Sequence, residues 1–358
     1  MNPAIRALFD PAPGITFLDS ATYGLPPEPT RRVLSEALDR WTAGTANWVE
    51  DWDKVGEGSR AAFAALIGVS PLRVALLPAA SVGVGTVAAT LTAADDVVVP
   101  ADEFTSVLFP LLVARQRGVR VREVTFEGLL EAITPGTTLV ALTLVQMQTG
   151  RTAPIRAIVE RAEAVGAQVL LDATQGLPFL PLGDLADRID YILCSGYKHL
   201  LCPRGTAFMV MRDEHIGRVP PNNANWRAAD SPYGRFFGGP LTLAPGAAQY
   251  DISLAWFPWL GTRTSIELLV EWAAAGEFED VLRLARDLAT GLGLEWGGSS
   301  LVCLPLREGD GDRARETLRE AGIRAAFRGT GMRLSTHVYN DDADVARAVE
   351  ILAPFVTR

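Results

Sequence analysis

The chain has 358 residues, 48% of them apolar, so it exceeds one ordinary domain and can bury a large core. A net charge of -9 without any Lys/Arg-rich run argues against nucleic acid or a membrane surface as partner and favours small molecules. The start of the chain lacks signal-peptide features, no apolar run reaches about 18 residues, and Cys194, Cys202 and Cys303 have no disulfide or metal spacing. We therefore expect a soluble, cytoplasmic protein without a metal.

Seven short, β-branched runs follow one another along the chain, with helical stretches between most of them. The runs are "RVALLP" (73–78), "DVVVP" (96–100), "RVREVTF" (120–126), "TTLVALTLV" (137–145), "AQVLLDA" (167–173), "DYILCSG" (190–196) and "TAFMVMR" (206–212). Helices are indicated by "EPTRRVLSEALDRW", where Pro29 suits a first turn, and by "APIRAIVERAEAVGA". Because the runs are apolar on both faces, they predict an α/β fold with a mainly parallel sheet covered on both sides.

The pattern changes after the last of these runs. Residues 214–250 are rich in Pro, Gly and Asn and predict a long ordered loop or an active-site rim. The stretches beyond it, from "TSIELLVEWAAAG" to "MRLST", predict a smaller α+β domain. We therefore expect a large domain over residues 1–245 and a small domain over 246–358, with residues 1–20 as a candidate segment for packing on the small domain.

A lysine and an aspartate near the ends of two of these strands carry the strongest chemical signal. Asp172 closes the strand in "QVLLDATQG", and Lys198 follows "DYILCSG" among apolar residues, where an unpaired ammonium is costly to bury. The carboxyl ends of strands in an open α/β sheet share one crevice. Such a pair suits pyridoxal phosphate (PLP). A lysine that can lose its proton forms a Schiff base with the aldehyde, and a carboxylate keeps the pyridine nitrogen protonated. The alternative is a solvated lysine and a helix-capping aspartate.

Four ordered landmarks carry a resemblance: "FLDSATYGLPP" (17–27), "LLDATQGLP" (170–178), "SGYKHLLCPRG" (195–205) and "RLSTHVYND" (333–341). They resemble fold-type-I PLP enzymes of the class V aminotransferase family, which includes cysteine desulfurases, isopenicillin N epimerase-like proteins and C–S lyases. The resemblance implies a homodimer with a seven-stranded, mainly parallel sheet. It also implies that Lys198 forms the Schiff base, Asp172 partners the pyridinium, Gln175 contacts the ring hydroxyl and Ser195 binds the phosphate.

Further contacts to cofactor and substrate follow from position and from the same resemblance. Ala80 and Ser81 begin a predicted helix whose free N–H groups would hold the cofactor phosphate. Phe104 is the candidate for stacking on the ring, with core packing as the alternative, and Gln146 is a candidate for facing the cofactor. Tyr197 either bonds to the phosphate or packs. Arg333, with Tyr23 of the first landmark, is expected to bind the substrate, the arginine by a two-pronged ion pair to its carboxylate.

One motif favours a different class of protein. Gly83, Gly85 and Ala88 spell G-x-G-x-x-A after a strand, with Asp102 further on, as an NAD(P)-dependent oxidoreductase would have. The first glycine, however, lies five residues beyond the strand end (83 − 78 = 5), whereas a nucleotide-binding fold places it in the tight turn itself. These glycines are therefore expected to pack a helix.

The reaction is less determined than the cofactor. The segment "EAGIRAAFRGTGM" (320–332) contains no cysteine, although a desulfurase needs a nucleophilic one there. The "Y-D-I-S-x-A-W" stretch (250–256) resembles ergothioneine-type C–S lyases and enzymes of sulfur-containing antibiotic pathways. The leading hypothesis is a C–S β-lyase of a small-molecule biosynthetic pathway that acts on an amino acid or cysteine S-conjugate. Aminotransferase, decarboxylation-coupled oxidative deaminase and epimerase remain open. Aromatic residues within 225–237 and 255–260 suit a bulky S-conjugate or, equally, subunit packing.

Overall fold

A computed structural model describes residues 2–234, 236–329 and 331–356. The strands of this part of the chain are β1 (Thr16–Phe17), β2 (Val74–Leu77), β3 (Asp96–Pro100), β4 (Arg120–Val124), β5 (Leu139–Thr143), β6 (Gln168–Asp172), β7 (Tyr191–Ser195), β8 (Ala207–Met211), β9 (Leu301–Pro305), β10 (Ile323–Arg324), β11 (Ala326–Arg328) and β12 (Gly331–Ser335). Its α-helices are α1 (Pro3–Arg6), α2 (Glu28–Thr42), α3 (Val55–Ile67), α4 (Ala80–Ala88), α5 (Thr105–Arg115), α6 (Leu129–Ala132), α7 (Ile155–Val165), α8 (Trp256–Ala274), α9 (Glu279–Gly291), α10 (Gly311–Glu320) and α11 (Asp342–Leu352).

A seven-stranded sheet forms the centre of the molecule, in the order β2-β8-β7-β6-β5-β3-β4. Strand β8 is antiparallel to both of its neighbours, and the other pairings are parallel. Each of the seven β-branched runs contains one of these strands, so the predicted mainly parallel sheet and α/β fold are confirmed.

The two faces of this sheet are buried under different helices, which is why its strands are apolar throughout. Val74 and Leu76 of β2 point into a core that contains residues of α3, α7 and α8. Their neighbours Ala75 and Leu77 point into a second core with α4 and α5. The alternation follows from the two-residue period of a strand.

A smaller antiparallel sheet, β11-β12-β9, lies in the C-terminal third and packs with α9, α10 and α11 around its own core. The N-terminal segment joins this region, because β1 pairs in parallel with β10 and Asp19 bridges to Ser335. Helix α8, by contrast, packs on α2 and α3. The domain boundary near residue 245 stays a prediction.

Between β8 and α8 the chain runs through short 3-10 turns and irregular structure, at 213–215, 226–228, 232–234 and 246–250 among the residues described. Arg235 lies outside those residues. In the described part of the chain, no helix is both long and apolar enough to cross a bilayer.

Candidate active site

The residues predicted to contact the cofactor follow strands of the central sheet that end at one edge. Strands β2 and β7 run in the same direction because both are antiparallel to β8, and Leu77 and Ser195 both pair with Ala207. Strands β3, β5 and β6 run parallel to β7, so their carboxyl ends lie at the same edge. Such an edge is where ligands bind in open α/β sheets.

Lys198 lies in the turn after β7. Lys54 and Lys198 are the two lysines of the sequence. Lys54 is half exposed and ion-paired with Glu50, whereas Lys198 is 4% exposed and has no carboxylate within 4.0 Å among the described residues. Its Nζ atom lies 5.2 Å from the centroid of the Phe104 ring and 5.7 Å from that of Tyr197. Lys198 is therefore a buried amine bordered by aromatic rings.

Burial sets the ionisation of this amine and of the aspartate near it. Desolvation lowers the pKa of Lys198 to about 8, against the opposing attraction of Asp172. Desolvation also raises the pKa of Asp172, although the Thr174 N–H donates to its Oδ1 at 2.9 Å. The site thus holds an amine that can lose its proton near neutral pH. It also holds a carboxylate whose ionised form a positively charged partner would stabilise.

The lysine turn is held tightly by its own backbone and by the N-terminal segment. Leu201 adopts the left-handed conformation, with φ of 58°, which a residue with a Cβ rarely does. The Gly24 N–H donates to the carbonyl of Tyr197 at 3.0 Å, and a Cβ on Gly24 would overlap the carbonyl oxygen of Lys198. The glycine thus permits the first landmark to close against the turn.

Two glutamines at this edge have different surroundings. Gln175 is buried between Ala21, whose carbonyl accepts from its Nε2 at 3.0 Å, and His199, whose Nε2 lies 2.9 Å from its Oε1. Gln146 donates to Asp102 at 2.6 Å, and its Oε1 accepts from the backbone N–H groups of residues 148 and 149. Gln146 thus caps a turn. It also binds Asp102, the acidic residue that follows the G-x-G-x-x-A motif in the oxidoreductase alternative.

Helix α4 presents an uncapped start at the same edge. Its N-cap residue, Ala79, makes no side-chain hydrogen bond, so no side chain of the cap competes for the first N–H groups at Ala80 and Ser81. A Cβ on Gly83 would overlap the Leu193 side chain, so this glycine lets α4 pack closely on β7. Helix packing therefore accounts for the first glycine of the G-x-G-x-x-A motif.

Arg333 lies on β12 and is 2% exposed. Its Nη2 donates to Thr22 Oγ1 at 3.0 Å, but Nε and Nη1 are buried without a hydrogen-bond partner among the residues described. Burial lowers the pKa of Arg333, and the like charge of Arg328 adds to the effect. Leaving a buried guanidinium unsatisfied is costly, so the arrangement is suited to an incoming anion. Tyr23, beside Thr22, is half exposed and packs edge-on against Phe17.

A cleft of ≈ 1010 Å³ opens at Arg333, with Cys303, Met147 and Trp296 among its walls. The aromatic residues of 225–237 and 255–260 do not line it. Four of them, Trp226, Tyr233, Phe236 and Trp256, pack instead with Trp48. No described aromatic ring of these two segments lines the cleft, so the cleft does not support a substrate-facing role for them.

Sequence reasoning missed Glu103, which lies between the ends of β3 and β5. Its two carboxylate oxygens accept from the N–H groups of Phe104, at 2.6 Å, and Thr143, at 2.7 Å. Burial raises the pKa of Glu103 to about 8. The sequence offers the same signal for Glu103 as for Asp172, namely an acidic residue near the end of a buried strand.

These features fit pyridoxal phosphate. They comprise a buried amine, a buried carboxylate, aromatic rings at the amine, an uncapped helix start and an unsatisfied buried arginine. The fold and this set of residues define a PLP-dependent enzyme of fold type I.

The chain belongs to the class V aminotransferase family, since residues 16–225 match the family model described as "Aminotransferase class-V". Its cofactor is accordingly pyridoxal phosphate, and the family assignment replaces the NAD(P)-dependent alternative.

Characterised and uncharacterised relatives carry several names. The chain is 25% identical to the uncharacterized aminotransferase YcbU of Bacillus subtilis, over 97% of this chain and 96% of that protein. A probable cysteine desulfurase of Streptomyces coelicolor is 32% identical over 58% of this chain and 55% of its own length. Isopenicillin N epimerase of Streptomyces clavuligerus is 29% identical over 58% of this chain and 55% of the epimerase.

Solved structures agree on the fold. The cystine C–S lyase C-DES, in complex with cysteine persulfide, superposes with a TM-score of 0.84 at 17% identity, over 95% of this chain and 98% of that one. The cysteine desulfurase CsdA of Escherichia coli gives 0.81 at 22% identity, over 99% and 98% of the two chains.

Proposed function

We propose that this PLP enzyme is a C–S β-lyase of a small-molecule biosynthetic pathway, which converts a cysteine S-conjugate and one water into a thiol, pyruvate and ammonia. The observation that carries the PLP chemistry is the buried Lys198 amine at the sheet edge where Asp172 ends β6. The choice of β-elimination is supported by the resemblance of residues 195–205 and 250–256 to C–S lyases. Aminotransferase, decarboxylation-coupled oxidative deaminase and epimerase use the same apparatus and are the alternatives.

The proposed cofactor contacts rest on the family resemblance together with the positions described above. Lys198 would hold the aldehyde carbon, Asp172 the pyridine nitrogen and Gln175 the ring hydroxyl, while Phe104 would cover one ring face. The N–H groups of Ala80 and Ser81, with Ser195 and Tyr197, would hold the phosphate. Gln146 stays a candidate contact. One hydrogen of its amide is donated to Asp102, and the second is proposed to face the cofactor.

Lys198 is proposed to move the proton. When bound, the cofactor withdraws electrons from the Cα atom of an amino acid joined to it. Lys198 Nζ, whose pKa of about 8 leaves part of the population unprotonated near neutral pH, takes the proton from Cα and holds it. A sulfur substituent on Cβ of the substrate then leaves as a thiolate. Return of the proton to Cα from the other face would instead give epimerisation.

Arg333 and the cleft beside it are proposed to select the substrate. The unsatisfied Nε and Nη1 atoms of Arg333 match a two-pronged ion pair with the α-carboxylate, and Tyr23 lies next to Thr22 at this arginine. The ≈ 1010 Å³ cleft is lined by Arg333 and not by Lys198, so we propose that it receives the end of a substrate larger than free cysteine, away from the reacting amine.

The positions and ionisation of the cysteines argue against persulfide chemistry. Residues 320–332 contain no cysteine, and burial raises the pKa of Cys303, which lines the cleft, to about 11. A thiol so weakly ionised at neutral pH is a poor nucleophile. A homodimer and a cytoplasmic location stay predictions, and sedimentation analysis tests the first.

The cofactor assignment is tested on the purified protein. We expect a visible absorption band and, after borohydride reduction and digestion, pyridoxyl label on the peptide that contains Lys198. Lys198→Ala should lose the band, the label and turnover. Lys54→Ala is the matched control, because it removes the other lysine of the chain and should keep all three. Label on Lys54 alone, or unchanged turnover in Lys198→Ala, would refute the assignment.

The reaction is tested with a panel of cysteine S-conjugates and ordinary amino acids, with products identified by mass spectrometry. Thiol, pyruvate and ammonia in equal amounts support β-elimination. A 2-oxo acid that keeps the sulfur substituent indicates transamination, and an inverted amino acid indicates epimerisation; either result as the main outcome would overturn the lyase proposal.

A further inference from the structure

A chain of buried hydrogen bonds lies behind Gln175. Its Nε2 donates to the carbonyl of Ala21 at 3.0 Å, and its Oε1 lies 2.9 Å from Nε2 of His199. A backbone carbonyl can only accept, so the NH₂ end of the amide must face Ala21 and the oxygen must face His199. It follows that His199 carries its hydrogen on Nε2 and donates it to Gln175. The chain continues on the other side, where the Ala21 N–H donates to Ser335 Oγ at 2.8 Å.

The neutral form of His199 is built into its surroundings. The ring is fully buried, and its Nδ1 has no hydrogen-bond partner among the described residues. Burial, together with the nearby charges of Lys198 and Arg333, keeps the pKa of His199 well below its ordinary value. The ring is therefore neutral near pH 7, and its contact with Gln175 assigns the hydrogen to Nε2.

Neighbouring rings hold His199 in place. Its ring is stacked on that of His337, with centroids 6.0 Å apart and planes at 17°, and the edge of Phe179 packs against it at 5.4 Å. His337 Nε2 in turn donates to the backbone carbonyl of His199 at 3.0 Å, while His337 Nδ1 accepts from the N–H of Val338. Both nitrogens of His337 are thereby satisfied, whereas His199 has one donor and directs it at Gln175.

We propose that His199 is a positioning residue, whose Nε2–H fixes the amide of Gln175 so that the second N–H of that amide is kept for the cofactor. Ala21 accounts for one of the two amide hydrogens, and no described residue accepts the other. Without His199 the amide keeps only its contact with the Ala21 carbonyl, so its plane is less well fixed and its second N–H is no longer held toward the cofactor. The inference rests on the proposed contact between Gln175 and the ring hydroxyl.

The test compares four proteins as holoenzymes: His199→Phe, Gln175→Leu, the double variant and the control His337→Phe. His199→Phe keeps a ring in the stack but loses the donor, and His337→Phe changes the same stack without touching Gln175. We expect His199→Phe to reproduce the change in visible absorption and circular dichroism of Gln175→Leu, and to weaken PLP binding on the order of tenfold. The double variant should show no further change, and His337→Phe should leave the spectrum of the bound cofactor unaltered.

Two results would overturn the inference: an unaltered spectrum in His199→Phe beside an altered one in Gln175→Leu, or additive effects in the double variant. A measurement on the wild-type holoenzyme covers the case in which His199→Phe fails to fold. Nitrogen-15 shifts of the imidazoles should identify His199 as the Nε2–H tautomer, and an Nδ1–H tautomer or an imidazolium would contradict the proposal. Absence of the cofactor band from wild-type protein would instead refute the proposed function itself.

Discussion

Arg333 and Cys303 are cross-strand partners in the β9–β12 pair, and both line the cleft at the proposed substrate site. Directly opposed residues of an antiparallel pair project to the same face, so the thiol lies beside the guanidinium that is proposed to bind the substrate carboxylate. A thiol at this position is a candidate for a catalytic role, but the raised pKa of Cys303 argues against that role. Burial raises its pKa to about 11, with only partial opposition from Arg333.

Cys303→Ala is therefore expected to keep turnover close to wild type. In the unmodified enzyme, iodoacetamide should label Cys303 slowly at neutral pH and faster as the pH approaches 11, because the thiolate is the reactive form. The other two thiols should label more slowly still, since Cys194 and Cys202 are fully buried. Peptide mass spectrometry over a pH series measures this order. Loss of turnover in Cys303→Ala would restore persulfide chemistry as a candidate.

Replacing Arg333 should affect substrate binding more than the fold. Arg333→Lys keeps the charge but cannot form the two-pronged ion pair, so KM should rise on the order of 100-fold, with a smaller change in kcat. Steady-state kinetics on any substrate found in the panel give both constants. Arg328→Gln is the matched control: this arginine reaches the same Thr22 hydroxyl, at 3.4 Å, but is exposed, and its loss should change KM far less.

Stability gives an independent check on Arg333. The substrate-free protein buries two guanidinium nitrogens of this residue without partners among the described residues. Arg333→Met removes that unsatisfied charge, so its urea midpoint should equal or exceed that of wild type even though substrate binding is lost. A midpoint well below wild type would mean that Arg333 is a structural residue.

Much of the fold and the centre of the site could be predicted from local patterns. β-branched runs such as those of β3 and β7 must be buried on both faces, and the ends of parallel strands share an edge, which brings Asp172 and Lys198 to one place. Contacts that depend on partners far away along the chain could not be predicted in this way. His199 gains its role from Gln175 and His337, and nothing in the pattern around residue 199 identifies them.

Asp251 illustrates the same limit. It belongs to the "YDISLAW" stretch that resembles C–S lyases, yet the structure places it in a buried ion cluster. Its two carboxylate oxygens accept from the Leu76 N–H, at 2.8 Å, and from Arg60, at 2.5 Å, a residue 191 positions away. Arg227 lies beside it as a third charged group. Asp251 thus ties the chain just after the 214–250 loop region to β2 and α3, which is a structural role within the stretch that resembles C–S lyases.

The pH dependence of cofactor capture should report on Lys198. Only the unprotonated amine attacks an aldehyde, so in apoenzyme the rate of PLP capture should rise about tenfold per pH unit below the pKa of Lys198 and level off above it. With that pKa lowered to about 8, the bend should lie near pH 8. Stopped-flow absorbance measures the rate. A bend near 10.5 would mean that the amine is solvated.

Two consequences sharpen that test. Asp172 raises the Lys198 pKa against the effect of burial, so Asp172→Asn should move the bend to lower pH. The unfolded chain keeps the lysine proton up to about pH 10.4, whereas the folded apoenzyme releases it near 8. The unfolded state thus binds more protons in this window, and the contribution of Lys198 to the free energy of unfolding should increase as the pH rises from 8 to 10.

Gly24→Ala tests the contact between the first landmark and the lysine turn. The new Cβ would overlap the carbonyl oxygen of Lys198 and the Leu201 side chain, and a backbone oxygen in a tight turn cannot move aside freely. We expect a loss of about 1 to 3 kcal/mol in the free energy of unfolding, together with weaker PLP binding, because the shifted turn carries the lysine. Gly85→Ala is the control: a Cβ there meets no atom within 4 Å, and alanine in a helix should be neutral or stabilising by about 1 kcal/mol. Urea unfolding and PLP titration measure both quantities. Equal effects of the two substitutions would show that Gly24 does not hold the lysine turn.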